Sequence, residues 1–307
     1  MAKIIILNLK GIFSNRSSLF KVFILLVILF TSFFVHHLLA LGLISLLFEN
    51  GFNLFFSYDL ASQTSVNVLK IVQLFSAAGT FITPILIYGY LTNFNFGINT
   101  FFSRQSAVLA ISIIIIITPL ITYLIELSMS IEFPFWLQNF DRDSEPIVLA
   151  FLKMNGFSDL IFNLLIMAII PAFGEELFFR GFLQNTFLNF FKSSHLAIVI
   201  TSILFSLIHF DLEGFIPRLF LGAILGYMFL WTQSLWVPII AHFVNNALAI
   251  IISYPYFKSY EIVQNFNHYG ESSLPHASLG AIIFSLVSVS VLLYLLYSNS
   301  KRVKQEN

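Results

Sequence analysis

The stretch VFILLVILFTSFFVHHLLALGLISLLF, residues 22–48, decides the class of fold. It runs for 27 residues without a charged side chain. As a helix rising ~1.5 Å per residue it exceeds the ~30 Å hydrocarbon core of a bilayer. A secretory signal has an apolar core of only about 7–15 residues and a small-residue cleavage site. The run is too long for that, so it is read as a retained first membrane helix. The rest of the chain agrees. Hydrophobic residues make up 58% of the sequence, charged residues only 10%, and the mean hydropathy is +0.90. A soluble fold has no place for that much apolar surface.

Further apolar runs fall at about 70–92, 106–126, 159–191, 194–210, 216–233, 236–254 and 278–298. With the first, at about 21–48, they predict an all-α, polytopic membrane protein of about eight transmembrane helices. Within 307 residues this leaves room for a single membrane domain, 1–307, with ragged ends. The distribution of Lys and Arg sets the orientation. Lys3, Lys10, Arg16 and Lys21 precede the first span, and Lys301, Arg302 and Lys304 follow the last. Both termini are therefore expected to be cytoplasmic. Arg104 and Lys192 fall in inner loops on this reading. The loops after spans one and three should lie outside. They carry Glu49, Asp59, Glu126, Glu132, Asp141, Asp143 and Glu145 against only Arg142 and Lys153. The longest loop, about 127–158, holds Pro134, Trp136 and Pro146. It reads as an interfacial segment and as the boundary between a front and a back half.

Net charge is zero, so no field draws the chain to nucleic acid. Cysteine is absent, which excludes disulfides, thiolate metal sites and a cysteine nucleophile. Pro84, Pro119, Pro171 and Pro238 lie inside spans, where neighbouring groups can satisfy the freed carbonyls. Pro171 and Pro238 each precede a titratable residue by four positions, and a kink there would open room for water or substrate. Gly222-x-x-x-Gly226 should let the sixth span approach a neighbour closely.

Ionisable residues inside spans are costly and mark candidate sites. They cluster in the second half: Glu175, Glu176, Arg180, His209 and His242. On a helix Glu176 and Arg180, four apart, share a face and can pair. Glu175 is turned about 100° away. The spacing assigns Glu176 to a structural ion pair and leaves Glu175 free for general-base work. If spans four and five form a hairpin turning near Lys192-Ser193-Ser194, Glu175 and His209 lie within roughly 3 Å of the same depth. That requires the fourth span to run unbroken past Glu175. His242 and Asn246 share a face of the seventh span. Depth counting places them about 12–18 Å from the turn near Ser234, shallower than Glu175 at about 27 Å, unless the fourth span protrudes into the cytoplasm.

Glu175-Glu176-x-x-x-Arg180-Gly181, Phe205-x-x-x-His209 and His242-x-x-x-Asn246 resemble, in order and spacing, the three motifs of the CPBP family. These are the CAAX proteases and bacteriocin-processing enzymes, also called Abi proteins. The resemblance covers about residues 158–255, which would form the catalytic helix core. It implies an eight-helix membrane fold and intramembrane endopeptidase chemistry. It further implies Glu175 and His209 as water activators, with His242 and Asn246 as oxyanion or ligand groups. Arg180 and Phe205 would give structural support. Two routes stay open: direct water activation, or a Zn2+ held by Glu175, His209 and His242 that lowers the water's pKa. The implied partners are the bilayer and a membrane-associated peptide or protein, lipidated or not, at the cell membrane of a bacterial-type source.

Competing functions are a proton-coupled transporter and a catalytically idle immunity or scaffold protein of the same fold. No inverted repeat supports the former, and the intact motif set argues against the latter. His-Glu-x-x-His, Gly-x-Gly-Asp and Gly-x-Ser-x-Gly are all absent. The remaining polar residues have blander readings. His36 and His37 should be interhelical hydrogen-bonders, and Arg218 should snorkel to outer headgroups. His195, His268 and His276 read as loop or interface residues.

Overall fold

The computed structural model describes residues 9–57, 59–134, 137, 145–255 and 277–306. Trp136, Asp141, Arg142, Asp143, His268 and His276 therefore lie outside the described residues, as does Lys3. All regular secondary structure among the described residues is helical, with no strand. Six helices are long and apolar enough to cross a membrane: α1 (Ser18–Leu47), α2 (Gln63–Thr92), α3 (Arg104–Met129), α5 (Phe157–Phe191), α7 (Phe215–Thr232) and α9 (Leu279–Glu306, apolar over Leu279–Arg302). Between α3 and α5 lies the short α4 (Glu145–Phe151). Two shorter apolar helices, α6 (Ser194–Leu207) and α8 (Trp236–Ile252), complete the bundle. The protein is thus a multi-pass, all-α membrane protein. At ~1.5 Å per residue α6 spans only about 21 Å, short of a full hydrocarbon core. We keep the eight-pass arrangement, with both ends cytoplasmic, as a proposal.

Side chains facing lipid need no alternation of polar and apolar residues, and α1 shows it. Leu19, Phe23, Leu26, Phe30, Leu38 and Leu46 are all exposed, and few of its residues are buried. The packed interior lies elsewhere, and it joins segments from both sides of the long loop. Ile113, Ile114 and Ile117 of α3 pack with Leu221, Leu225 and Met228 of α7, Ala241 of α8 and Leu296 of α9. Leu25 of α1 and Ile85 of α2 pack with Leu177 of α5 and Ile239 of α8. The loop at 127–158 is therefore not a packing boundary between halves.

The prolines act differently from the expected kinks. Pro84 and Pro171 each stand just after a stretch of wide, π-helical turns, Ala78–Ile82 and Leu164–Ile169. A proline has no N–H and its ring collides with the carbonyl four residues back. A wider turn takes up both effects without breaking the helix. Pro119 frees the carbonyl of Ile115, and the Thr118 hydroxyl donates to that same carbonyl at 3.0 Å. Pro238 sits in the first turn of α8, where a backbone N–H has no helical partner in any case. No room-making kink is needed at either Pro171 or Pro238.

The α5 helix does run unbroken past the Glu pair. It contains a second π-helical stretch, Leu177–Gln184, directly after Glu176. It ends at Lys192, which takes a left-handed conformation (φ 56°), and Ser193 caps the start of α6 through its hydroxyl. The predicted turn is therefore where the sequence put it. The last turns of α5, Asn185–Phe191, bury no residue. Glu176 and His242 nonetheless meet at 2.8 Å, so the Glu pair and His242 lie at one level and the expected depth mismatch is absent.

Gly222 and Gly226 bring α7 against α5 and α6. A Cβ on Gly226 would lie 2.9 Å from Ile198 and 3.0 Å from the Gln184 Oε1, and one on Gly222 would lie 3.2 Å from Ser202. Their exposed carbonyls are used as well. Arg180 donates to the Gly222 oxygen and Gln184 to the Gly226 oxygen, both at 3.0 Å. The two donors are four residues apart on α5, the two acceptors four apart on α7, so the helices are stitched at matching intervals.

Candidate active site

Glu176 and Arg180 form the fixed layer of the site. Both are fully buried, and the Arg180 Nη1 donates to Glu176 Oε1 at 2.7 Å. Arg180 also lies over the Phe205 ring, 4.6 Å from its centroid. A buried charge needs this much company. Phe205 therefore does more than pack. Its ring meets those of His209 and His242 edge-on, at 5.3 and 5.8 Å.

Glu176 has a second partner, which spacing along the chain could not reveal. His242 Nδ1 lies 2.8 Å from the same Glu176 Oε1. The Arg180-paired carboxylate accepts, so Nδ1 carries the hydrogen. His242 Nε2 then points towards Glu175, 3.9 Å from Oε2. The Glu175 side chain is 14% exposed, and its Oε2 has no hydrogen-bond partner among the described residues. Among the described residues Glu176 Oε1 holds both Arg180 and His242, whereas Glu176 Oε2 and Glu175 Oε2 have no hydrogen-bond partner.

His209 lies just past the end of α6. Its Nδ1 is 2.8 Å from the Phe205 carbonyl. A carbonyl only accepts, so Nδ1 is the protonated nitrogen, and in the neutral ring Nε2 carries the lone pair. Asn246 holds two contacts and keeps one amide N–H. Its Nδ2 donates to the Met167 carbonyl at 3.3 Å, and its Oδ1 accepts from Asn245 Nδ2 at 3.2 Å.

Glu175, His209, His242 and Asn246 line one cavity of about 280 Å³, with Phe205 and Leu221. Two residues that sequence reasoning did not select join them. Asn245 follows from no motif; only its place beside Asn246 gives it away. Arg218 does not snorkel to outer headgroups. Its guanidinium turns back to ion-pair with Asp211 and faces the cavity. Gly214 donates its N–H to Asp211 Oδ1 at 2.9 Å. Burial pushes the Asp211 carboxyl up, but the hydrogen bonds from Arg218 and the Gly214 N–H, with the Arg218 charge, outweigh it and hold Asp211 below its ordinary value. The loop joining α6 to α7 is anchored further by Ser128 of α3, whose hydroxyl donates to the Leu212 carbonyl at 3.2 Å.

The donors were tested against a zinc ion. His209 and His242 each keep Nε2 for a ligand, but no group of three His, Asp or Glu side chains among the described residues is close enough together to hold a metal. The set Glu175, His209 and His242 does not fit a closed three-ligand site as it stands. The other in-span histidines are structural, as expected. His36 lies 2.8 Å from the Ser32 carbonyl through Nδ1 and 3.2 Å from the Thr83 hydroxyl through Nε2. His37 Nδ1 lies 2.9 Å from the Phe33 carbonyl, and His195 Nδ1 lies 2.7 Å from the Tyr227 hydroxyl.

Residues 157–248 match the family model described as "Type II CAAX prenyl endopeptidase Rce1-like". The chain is 33% identical over 91 residues to the membrane-embedded CAAX protease MroQ of Staphylococcus aureus, covering 28% of this chain and 36% of that protein. It is 26% identical over 100 residues to the putative membrane peptidase YdiL of Bacillus subtilis, covering 32% and 39%. It is also 31% identical over 90 residues to the uncharacterized protein YpbD of Bacillus subtilis, covering 28% and 43%. Over this stretch the chain is similar to Rce1-like CAAX endopeptidases, which supports the resemblance to the CPBP family. Each match covers less than half the length of the curated relative. No solved structure matches the chain.

Proposed function

We propose that this protein is an intramembrane endopeptidase that hydrolyses a peptide bond of a membrane-associated substrate. One observation carries the reading: Glu175, His209, His242 and Asn246, from three different helical segments, converge on one cavity. Similarity to a membrane-embedded CAAX protease over the same segment supports it.

Glu175 is the general base in this reading. Its uncommitted oxygen takes a proton from a water molecule shared with the His209 Nε2 lone pair. The water oxygen attacks the peptide carbonyl, and the carbonyl π electrons move onto its oxygen. The proton held on Glu175 then passes to the leaving nitrogen as the C–N bond breaks, giving an amine and a carboxylic acid, which ionises by losing its proton to solvent. His242 is a positioning residue here: Glu176 fixes its ring, and its Nε2 faces the Glu175 oxygen that receives the proton. The donor geometry favours this direct route over a metal-bound water.

The test is cleavage by purified protein. A library of quenched-fluorescent peptides is offered in mixed lipid–detergent micelles to wild type and to Glu175→Gln and His209→Ala. We expect wild type to cleave a subset and both variants, still monodisperse, to be inactive. Unchanged cleavage in Glu175→Gln would overturn the mechanism. Proton-coupled flux in vesicles without cleavage would overturn the peptidase reading itself.

A further inference from the structure

We propose that Arg218 is a further oxyanion donor of this site, beside the groups that the family resemblance implies, and is held for that task by Asp211. The proposal rests on the peptidase reading. Attack of water places a negative charge on the carbonyl oxygen, and a hydrogen-bond donor must already be aimed at it. Most of the polar side chains lining the cavity have given their main donors elsewhere. His242 Nδ1 serves Glu176, and His209 Nδ1 serves the Phe205 carbonyl. Asn246 Nδ2 serves the Met167 carbonyl, and Asn245 Nδ2 serves Asn246. Each amide keeps one further N–H, but these are neutral donors.

Arg218 differs. One terminal nitrogen donates to Asp211, and the other, Nη1, is buried without a partner among the described residues. Arg180 also keeps an unpaired nitrogen, Nε, but Arg218 lines the cavity and Arg180 does not. The loop is shaped to allow this placement. A Cβ on Gly214 would fall 2.3–2.4 Å from the Arg218 guanidinium, so a side chain there would push the guanidinium off this position. Arg218 lies close enough to act electrostatically on both Glu175 and His209.

The surrounding charges choose between two uses of that N–H. A substrate carboxylate would meet Asp211 and Glu175 as well as Arg218, and two acids would repel it. A peptide carbonyl is neutral when it arrives. It gains charge only as the water's proton passes to Glu175, which is when Arg218 becomes its best partner. The interaction therefore acts on the transition state more than on the bound substrate.

The test compares Arg218→Gln and Arg218→Lys with wild type, on a peptide that wild type cleaves. We expect Arg218→Gln to lower kcat by about 10²–10³-fold, as removal of an oxyanion donor does. Arg218→Lys should lower kcat at least about tenfold, and KM should stay within about threefold in both. A kcat near wild type in a monodisperse Arg218→Gln, or a loss confined to KM, would overturn the proposal. If Arg218→Gln does not stay monodisperse, Arg218→Lys decides: full kcat overturns the proposal. Loss of kcat with KM kept supports it. Should wild type itself cleave nothing, it is the peptidase reading that fails.

Discussion

Two histidine-bearing regions of this bundle invite comparison. In the front, His36 sits inside α1, bonded through both ring nitrogens to Ser32 and Thr83, with Gly79 pressed against its ring. In the back, His209 and His242 each give Nδ1 to a fixed acceptor, and both face a cavity with the other nitrogen. All three are in or beside apolar helices. What separates them is whether a nitrogen remains uncommitted beside open volume. A histidine with both nitrogens satisfied by packed neighbours contributes stability. One with a fixed nitrogen and a free one can hold or move a proton.

The strongest way to break this comparison is to remove the uncommitted groups. Glu175→Gln should lower cleavage about 10²–10⁴-fold while leaving the thermal unfolding of the purified protein nearly unchanged. A large loss of stability in that variant would mean Glu175 belongs with the structural groups. The reverse profile is expected one residue on. Arg180→Met leaves Glu176 charged, buried and without its strongest partner, and should cost about 3–5 kcal/mol of stability in unfolding assays. Gly226→Ala comes next. Its added carbon meets Ile198 at 2.9 Å, and overpacking of this kind costs about 1–3 kcal/mol. His36→Leu should be milder still, at about 0.6–1.7 kcal/mol, the range of interhelical hydrogen bonds in membranes. Its kcat per folded molecule should equal wild type. A His36→Leu variant that folds but does not cleave would put the front region into the mechanism. Smallest of all is the expected effect of chelation. Cleavage should persist in 1,10-phenanthroline, and a loss reversed by zinc would restore the metal route.

Much of this was legible in the sequence because it is local. The 22–48 run announces a membrane helix by length alone. The Glu176–Arg180 pair follows from the helical repeat, and so does the face shared by His242 and Asn246. The turn at Lys192 was readable from its break in apolarity. What stayed hidden depends on tertiary partners. Glu176 and His242 are 66 positions apart and meet only when α5 and α8 pack. Arg218 near the start of an apolar helix looks like a headgroup anchor. Its reversal depends on Asp211, which the chain brings within reach only when the loop between α6 and α7 folds. The wide turns before Pro84 and Pro171 left no separate mark, because the sequence signals the proline and not the way the backbone absorbs it.

The π-helical stretch from Leu177 to Gln184 has one more consequence. It lies between the Glu pair and the last residue stitched to α7, so it sets the phase of one relative to the other. A π turn holds about one residue more than an α turn, so a single deletion there is absorbed if the stretch tightens to ordinary α-helix. If the wide turns persist, everything after the deletion turns by about 100°, and either Gln184 leaves the Gly226 carbonyl or the Glu pair leaves His242. The segment works as a vernier between the chemistry and the scaffold.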